Sequence, residues 1–140
     1  MGNKLEVSLE IIVHATEEAR KIFDSVYELF EIKEDEFLQE NLTGHYGNPI
    51  LLLKVKLAKK RAEEFIQRLV SKISKPQLDE FVNDMPMYFE DSSLFLRIGK
   101  QAMVTKLVNL QQKDAVKIKI STPVYRKDDL AKTYLELLKS

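Results

Sequence analysis

Apolar and polar residues alternate along several short stretches of this chain, which is the pattern of a β-strand with one buried face. In residues 5–14, five aliphatic side chains fall on one side of the strand and mostly polar side chains on the other. Residues 50–57, 93–98 and 115–120 are further predicted strands, and residues 36–42 are a weaker one. We therefore predict a strand at each of these positions, with one side facing a core.

Apolar residues recur every three to four positions in four further segments, and this spacing predicts helices with one apolar face. The first helix follows Thr16, a predicted N-cap, and carries its apolar side chains between positions 19 and 30. Ser74 and Gln77 form a predicted capping box at the start of the third helix. The remaining predicted bounds are about 59–73, about 75–85, where Pro86 stops the helix, and a last helix opened by Asp128 and Asp129.

The order of the elements predicts the fold class. Residues 102–110 and 115–120 are predicted to form a β-hairpin that turns at 112–114. The whole order is then β-α-β-β-α-α-β-β-β-α, with three strands in succession. This order predicts an α+β fold, a mainly antiparallel sheet with helices packed on one face. A chain of 140 residues is expected to form a single domain, 1–140.

The composition of the chain excludes several kinds of functional site and argues against a membrane location. The chain has no cysteine, which excludes disulfides, thiolate zinc sites and a cysteine nucleophile. No apolar run approaches the roughly 20 residues of a membrane span, so we expect no membrane partner and an intracellular, cytoplasmic protein. The many lysines and glutamates, with only four glycines, also suit a thermophile.

The formal net charge is zero, but the charges are segregated along the chain. Residues 17–40 carry nine acids and three bases, whereas 54–72 carry seven bases and two acids. Residues 97–119 carry six bases and one acid. The local field decides which partner a surface attracts, so a polyanion partner is compatible with this composition. Two solvated faces of opposite sign are the alternative interpretation.

The start of the second helix is unusually basic. Lys59, Lys60 and Arg61 occupy its first turn, where the helix dipole prefers acids. A local rule broken without visible compensation often marks a functional site. Bases beside free helix N–H groups would form a phosphate-binding site.

Bases also lie on the polar sides of three predicted strands. Lys54 and Lys56 share one side of their strand, Lys117 and Lys119 share one side of another, and Arg97 lies opposite the apolar set of a third. If these strands are neighbours, the solvent face of the sheet is basic and can contact a phosphate backbone. Exposed lysines on strands also prevent edge aggregation, so this alternative stays open.

The histidines and aromatic residues give weaker signals. His14 and His45 are the only histidines, and no metal, nucleotide or nucleophile motif accompanies them, so a structural role is favoured over catalysis and no cofactor or metal is expected. Gly44, Gly47 and Asn48 predict a turn before the strand at 50–57. Four aromatic residues could stack bases if exposed, although such residues more often lie in a core: Tyr46, Tyr88, Phe95 and Tyr125.

Three segments resemble a known family. VHATE at 13–17, TGHYGNPI at 43–50 and LFLRIGKQA at 94–102 are similar, in order and spacing, to an archaeal family of small RNA-binding proteins predicted to be exosome-associated subunits. The resemblance implies the fold of the ribosomal protein that binds 5S RNA, an RNA-binding role and no enzymatic activity. Gly99 stands where the family pattern RIDKQ has an acid. The motif positions carried over are His14, His45, Tyr46, Gly47, Asn48, Arg97, Lys100 and Gln101.

Three functional hypotheses follow. The first is a non-catalytic RNA-binding protein, an accessory to RNA processing or degradation whose partners are RNA and subunits of a processing complex. The second is a protein–protein adaptor or homo-oligomeric scaffold, and the third is an enzyme acting on a phosphorylated ligand through His45 and Lys100. We expect the glycine turn and the basic helix start to form one surface. The predicted RNA contacts are Lys54, Lys56, Lys59, Lys60, Arg61, Arg97, Lys100, Lys117 and Lys119.

Overall fold

The computed structural model describes residues 4–124 and 126–139. The strands are β1 (Glu6–His14), β2 (Leu38–Thr43), β3 (Pro49–Ala58), β4 (Phe89–Glu90), β5 (Ser93–Gly99) and β6 (Ala115–Ser121). The helices are α1 (Ala19–Phe30), α2 (Lys60–Lys72), α3 (Lys75–Asn83), α4 (Lys100–Val104) and α5 (Leu130–Lys139). Tyr125, one of the four candidate stacking residues, lies outside the described residues.

The six strands form one sheet in the order β2-β3-β1-β6-β5-β4, and every neighbouring pair is antiparallel. The predicted α+β fold with a mainly antiparallel sheet is therefore confirmed. β1 lies in the middle of the sheet, and its apolar side is buried along the strand from Val7 to Val13.

The two faces of the sheet differ as the alternation predicts. Alternate residues of the central strands, such as Leu9, Val55 and Ile118, are buried beneath the helices. The intervening residues lie on the opposite side, which the helices leave open. The predicted apolar face of α1 is confirmed, since Ile22 and Val26 are fully buried.

The N-terminus of α1 differs from the prediction that Thr16 is its N-cap. The helix begins at Ala19, and Glu18 occupies the capping position without a side-chain hydrogen bond. The preceding turn is closed instead by Glu17, whose N–H donates to the His14 carbonyl at 2.9 Å. The Glu17 carboxylate also accepts the His14 N–H at 2.8 Å. These two bonds hold residues 14–17 in a turn that delays the helix.

The predicted strand at 102–110 is wrong, although its partner at 115–120 is confirmed as β6. The segment begins with α4 and continues irregularly, with a single bridge between Leu110 and Ile98. Its two buried side chains, Met103 and Val108, are five residues apart, which does not match the two-residue period of a strand. β6 consequently pairs directly with β5, and the expected run of three consecutive strands is interrupted by a helix.

The predicted cap of α3 is confirmed in part. The Ser74 hydroxyl accepts the Gln77 N–H at 3.4 Å. The Gln77 side chain does not complete a capping box, because its oxygen accepts the Leu110 N–H at 3.1 Å. Gln77 therefore ties α3 to the loop that follows α4.

Replacing Ser74 with Ala should lower the free energy of unfolding by about 1 kcal/mol, because the Gln77 N–H loses its acceptor. Thermal melting checks this, and the RNA affinity should not change. Ser71→Ala is the control, since its hydroxyl donates to the Arg68 carbonyl inside α2 and caps nothing. Equal melting temperatures for the two variants would show that Ser74 does not stabilise the helix.

Candidate nucleic-acid interface

Five of the predicted RNA contacts lie on the uncovered side of the sheet. One row across the strands runs from Lys54 through Glu10 to Lys117 and Arg97. The next row runs from Lys56 through Ser8 and Lys119 to Phe95. We call the surface formed by these two rows the open face. β5 and β6 are neighbouring strands, as the prediction of one basic face requires. β3 and β6 are not neighbours, because β1 lies between them and separates them by two strand spacings, about 10 Å.

The two rows of the open face carry five bases and one acid, Glu10. Within residues 4–124 and 126–139, Lys54, Lys117 and Lys119 have no carboxylate partner. Lys56 lies 3.6 Å from Glu6 in an exposed pair, which screens its charge only weakly. Glu10 lies directly opposite Lys54 and Lys117 in the register and offsets part of their charge, but the excess of bases still makes this surface attractive to phosphate.

Phe95 is the one aromatic residue in these two rows. Its neighbours along β5, Leu94 and Leu96, are buried on the other side of the sheet, whereas Phe95 is half-buried on the open face. The Nζ atoms of Lys117 and Lys119 lie 5.6 and 5.8 Å from its ring centroid, within cation–π distance. A groove of about 610 Å³ runs across this surface, and its lining includes the ring, four lysines, Leu38 and two acids, Glu10 and Glu36.

The basic start of α2 lies at the end of β3. Lys59 precedes the helix with a left-handed backbone (φ 56°), and its N–H donates to the Leu5 carbonyl at 3.0 Å. Lys59 and Lys60 are exposed, and neither has a carboxylate partner among the described residues. These two lysines remain available to a phosphate.

Arg61 is not free, so its predicted role needs correction. Its guanidinium forms an ion pair with the Glu36 carboxylate, with one N–O distance of 3.1 Å, and lies 3.5 Å from the Glu31 carbonyl. The hydrogen bond from Arg61 lowers the pKa of Glu36 despite partial burial. The base that seemed to break the helix-dipole rule therefore has an intramolecular partner 25 residues away in the chain.

Stability measurements should distinguish Arg61, which has an intramolecular partner, from Lys59 and Lys60, which have none among the described residues. Arg61→Gln should lower the free energy of unfolding by about 0.2–1 kcal/mol, the usual range for an exposed ion pair. A Lys59→Gln, Lys60→Gln double variant should be as stable as the wild type or slightly more so, because it removes positive charge from a helix N-terminus. Urea unfolding at neutral pH checks both. If Arg61→Gln leaves the free energy of unfolding unchanged while the double variant lowers it, Arg61 is not the base that has an intramolecular partner.

Lys100 is not a surface residue, and its prediction as an RNA contact is corrected. Its side chain is 2% exposed. Its Nζ donates to the Ile12 carbonyl at 2.7 Å, to Glu17 Oε1 at 2.8 Å and to Asp114 Oδ1 at 3.0 Å. All three donor positions of the ammonium are thus used inside the protein.

Gln101, which is exposed, completes this network around the buried Lys100. Its amide nitrogen donates to Glu17 Oε2 at 2.7 Å and to Asp114 Oδ2 at 3.2 Å. We call Glu17, Lys100, Gln101 and Asp114 the Lys100 cluster. It joins the VHATE and RIGKQA segments, together with the loop before β6. The sequence prediction missed Glu17 and Asp114, although Glu17 is the last residue of the VHATE motif.

The carboxylates of the Lys100 cluster are held in their charged forms. The hydrogen bond from Lys100 lowers the pKa of Asp114, and Gln101 adds to this effect. Burial raises the pKa of Glu17, but hydrogen bonds from Lys100, the His14 N–H and Gln101 together outweigh it, so its pKa is lowered. The cluster is therefore a charged structural clamp at neutral pH.

Gly99 adjoins the cluster at the position where the family pattern has an acid. A Cβ atom placed there would lie 2.7 Å from Asn109 Oδ1 and 2.8 Å from Gln111 Oε1. The two amide side chains thus occupy the space that a side chain at this position would need.

The GHYGN segment forms the loop between β2 and β3. Gly47 has a φ of 80°, and the Gly44 N–H donates to the Asn48 carbonyl at 2.6 Å. The side chain of Tyr46 is 86% exposed, and its ring stands edge-to-face with that of His45 at 4.8 Å. The expectation that this turn and the basic start of α2 form one surface is wrong. The ten residues of β3 lie between them, which corresponds to roughly 30 Å.

The described residues offer neither a metal site nor a membrane-spanning helix. No group of three or more His, Asp or Glu side chains there could hold a metal ion. No helix in the described part of the chain is long and apolar enough to cross a membrane. His14, the remaining motif residue, is exposed at the end of β1.

Comparison with known proteins identifies the family. A family model described as RNA binding matches residues 6–122. An uncharacterised protein of Methanocaldococcus jannaschii is 26% identical over 102 residues, which are 68% of each chain. A crystal structure of an A. fulgidus protein of family DUF54 has a TM-score of 0.81 and 26% identity, covering 94% of this chain and 97% of that one.

A second solved structure, a DUF54 protein from Methanothermobacter thermautotrophicus, has a TM-score of 0.75 and 26% identity, covering 95% of this chain and 96% of that one. Its fold extends over almost the entire length of both chains. Because the family model spans most of this sequence and these relatives come from archaea, the chain belongs to an archaeal family of RNA-binding proteins.

Proposed function

We propose that the protein is a cytoplasmic, non-catalytic RNA-binding protein whose open face contacts the phosphate backbone. The observation that carries the proposal is the set of three ammonium groups, of Lys54, Lys117 and Lys119, without carboxylate partners in the part of the chain that the structure describes. Lysines on an uncovered sheet face match the phosphate contacts that dominate affinity for nucleic acids. Lys59 and Lys60 extend the same charge beyond the end of β3.

The non-catalytic part of the proposal rests on the arrangement of the titratable groups. Lys100 is buried, and its donors are used by Ile12, Glu17 and Asp114, so it cannot reach a substrate. His45 is exposed on a loop, and among the described residues no carboxylate orients its ring. A general base needs such an orienting partner within hydrogen-bond distance. An accessory role in RNA processing or degradation follows from the family resemblance.

Titration of the wild-type protein with labelled RNA at several salt concentrations tests the proposal. Log affinity should fall linearly with log salt, with a slope of about 0.7 for each phosphate contacted on a single strand, hence at least about 2 for the three unpaired lysines. A small phosphate pocket would give a much flatter dependence. RNA integrity is measured in the same samples by gel electrophoresis. Cleavage that His45→Ala abolishes would overturn the non-catalytic assignment.

A protein–protein adaptor is the second candidate, and one observation favours it. Leu38 and Leu42 are 61% and 45% exposed on β2, which is an edge strand with one unpaired side. Exposed apolar edge strands are sites of pairing with other chains. Sedimentation velocity without RNA tests this candidate, since an adaptor that acts as a homo-oligomer would sediment as more than one copy.

A further inference from the structure

We propose that the open face binds single-stranded RNA in preference to duplex RNA, with one base stacked on Phe95. This inference rests on the proposed RNA-binding function and specifies its substrate. The relevant geometry is a half-buried aromatic ring on an otherwise polar surface, with two ammonium groups within 6 Å of its centroid.

The placement of Phe95 favours a stacking role over a packing role. The core side of β5 is already filled by Leu94, Leu96 and Ile98, which are 0–3% exposed. Phe95 lies opposite Lys119 in the register and shares its row with Ser8, so its cross-strand neighbours are polar. Because the neighbours of the ring are polar, a base that contacts the ring displaces little apolar packing. Base–aromatic stacking contributes to the binding of single strands regardless of sequence.

The lysines beside Phe95 complete a single-strand site. Single-stranded nucleic acid is bound where a positive groove follows the backbone and aromatic rings receive the bases. Lys117 and Lys119 reach over the ring from β6, so a stacked base takes the place of an ammonium group there, and Lys54 and Lys56 line the other side of the same groove on β3. A base stacked on Phe95 would therefore have its flanking phosphates close to ammonium groups.

Glu10 argues against a duplex ligand. It stands between Lys54 and Lys117 in the first row of the open face. The phosphates of a duplex laid across the sheet would be repelled there, and the faces of its paired bases would be unavailable to Phe95. Unpaired bases instead expose amino groups, from which a carboxylate accepts hydrogen bonds.

Fluorescence anisotropy with a labelled 12-nucleotide RNA, single-stranded or annealed to its complement, tests the inference. The wild type should bind the single strand more tightly. Phe95→Leu keeps an apolar side chain of similar bulk and should fold, but it lacks the ring. Its affinity for the single strand should fall about 5- to 150-fold, the range expected for loss of one stacked base. The slope against log salt should stay unchanged because no charge is removed.

Phe95→Tyr is the matched control, because it keeps the aromatic face and should bind the single strand as the wild type does. If wild type binds duplex as tightly as single strand, or if Phe95→Leu binds like wild type, the inference is overturned while the RNA-binding function stands. If wild type binds neither RNA, the proposed function itself fails. Thermal melting of all three proteins establishes that each is folded.

Discussion

Replacing Lys54, Lys56, Lys117 and Lys119 together with Gln is expected to weaken RNA binding and to flatten its salt dependence. Each lost phosphate contact should reduce the slope of log affinity against log salt by about 0.7 for single strands, so the four together should reduce it by up to about 2.8. The loss should be nearly equal for different RNA sequences, because phosphates carry no sequence information.

Folding should survive this fourfold change. The four lysines lie on the open face, and Lys56 alone among them has a carboxylate within 4 Å in the described structure, at 3.6 Å from Glu6. Exposed pairs of this kind contribute about 0–1 kcal/mol. Removing mutual repulsion among the lysines offsets part of that cost. The expected change is therefore in binding, with little change in the melting temperature.

The matched control removes the same charge from the helical side of the protein. It replaces four exposed lysines with Gln: Lys21, Lys72, Lys132 and Lys139. Both variants have the same net charge, so any difference between their slopes of log affinity against log salt is due to where the replaced lysines lie. If the two slopes fall by the same amount, the attraction is a property of net charge, and the open face is not the interface.

Replacing Lys100 with Met is expected to cause the largest loss of stability. The substitution leaves the Glu17 and Asp114 carboxylates facing each other without the cation, and it removes the donor to the Ile12 carbonyl. Breaking a buried ion pair from one side typically costs about 3–5 kcal/mol. Because Asp114 is 40% exposed, water will solvate part of the charge that remains, and we expect the lower end of this range.

The pH dependence of stability provides a second signature of the same cluster. The pKa values of Glu17 and Asp114 are lowered in the folded protein, from ordinary values of 4.5 and 3.8. Their contribution is therefore fully present above those ordinary values and is lost as pH falls through the lowered ones. Wild-type stability should decline over this acidic range. In Lys100→Met the decline should be shallower, since the carboxylates have lost the donor that lowered their pKa values.

Lys106→Met is the control for this substitution. Its ammonium lies 3.3 Å from the Glu28 carboxylate, but the side chain is 38% exposed, so the pair should contribute at most about 1 kcal/mol. Urea unfolding between pH 3 and pH 7 measures both variants. A Lys100→Met protein as stable as Lys106→Met, with the wild-type pH dependence, would show that the Lys100 cluster does not stabilise the fold.

Local sequence alone determined which side of β1, β3, β5 and β6 faces the core, whereas β2 has no buried residue on either side. Side chains alternate with a period of two along a strand, so the buried set in β1 also placed Glu10 on the other side. The same rule placed Lys54 with Lys56, and Lys117 with Lys119. The apolar face of α1 and the cap at Ser74 were equally predictable, because both depend on residues within one or two turns.

Local pattern failed where short segments are ambiguous. Residues 102–110 carry a short apolar run, which periodicity cannot assign to a helix or a strand with certainty. The backbone N–H of Lys100 donates to the Asp114 carbonyl at 3.0 Å, and α4 begins there. That bond joins residues on either side of the segment, and the hydrophobic period within the segment carries no information about it.

Tertiary structure decided which charges are available to a ligand. Arg61 and Lys100 belong to basic stretches of the sequence, but Glu36 and Glu17 neutralise them from positions 25 and 83 residues away. The assembly of the open face was decided in the same way, because strand order brings β5 and β6 together and inserts Glu10 between β3 and β6. The sequence by itself determined the identity of the charges and the side of each strand on which they lie. Their partners depend on contacts between distant segments, since electrostatic energy follows distance in space and not separation along the chain.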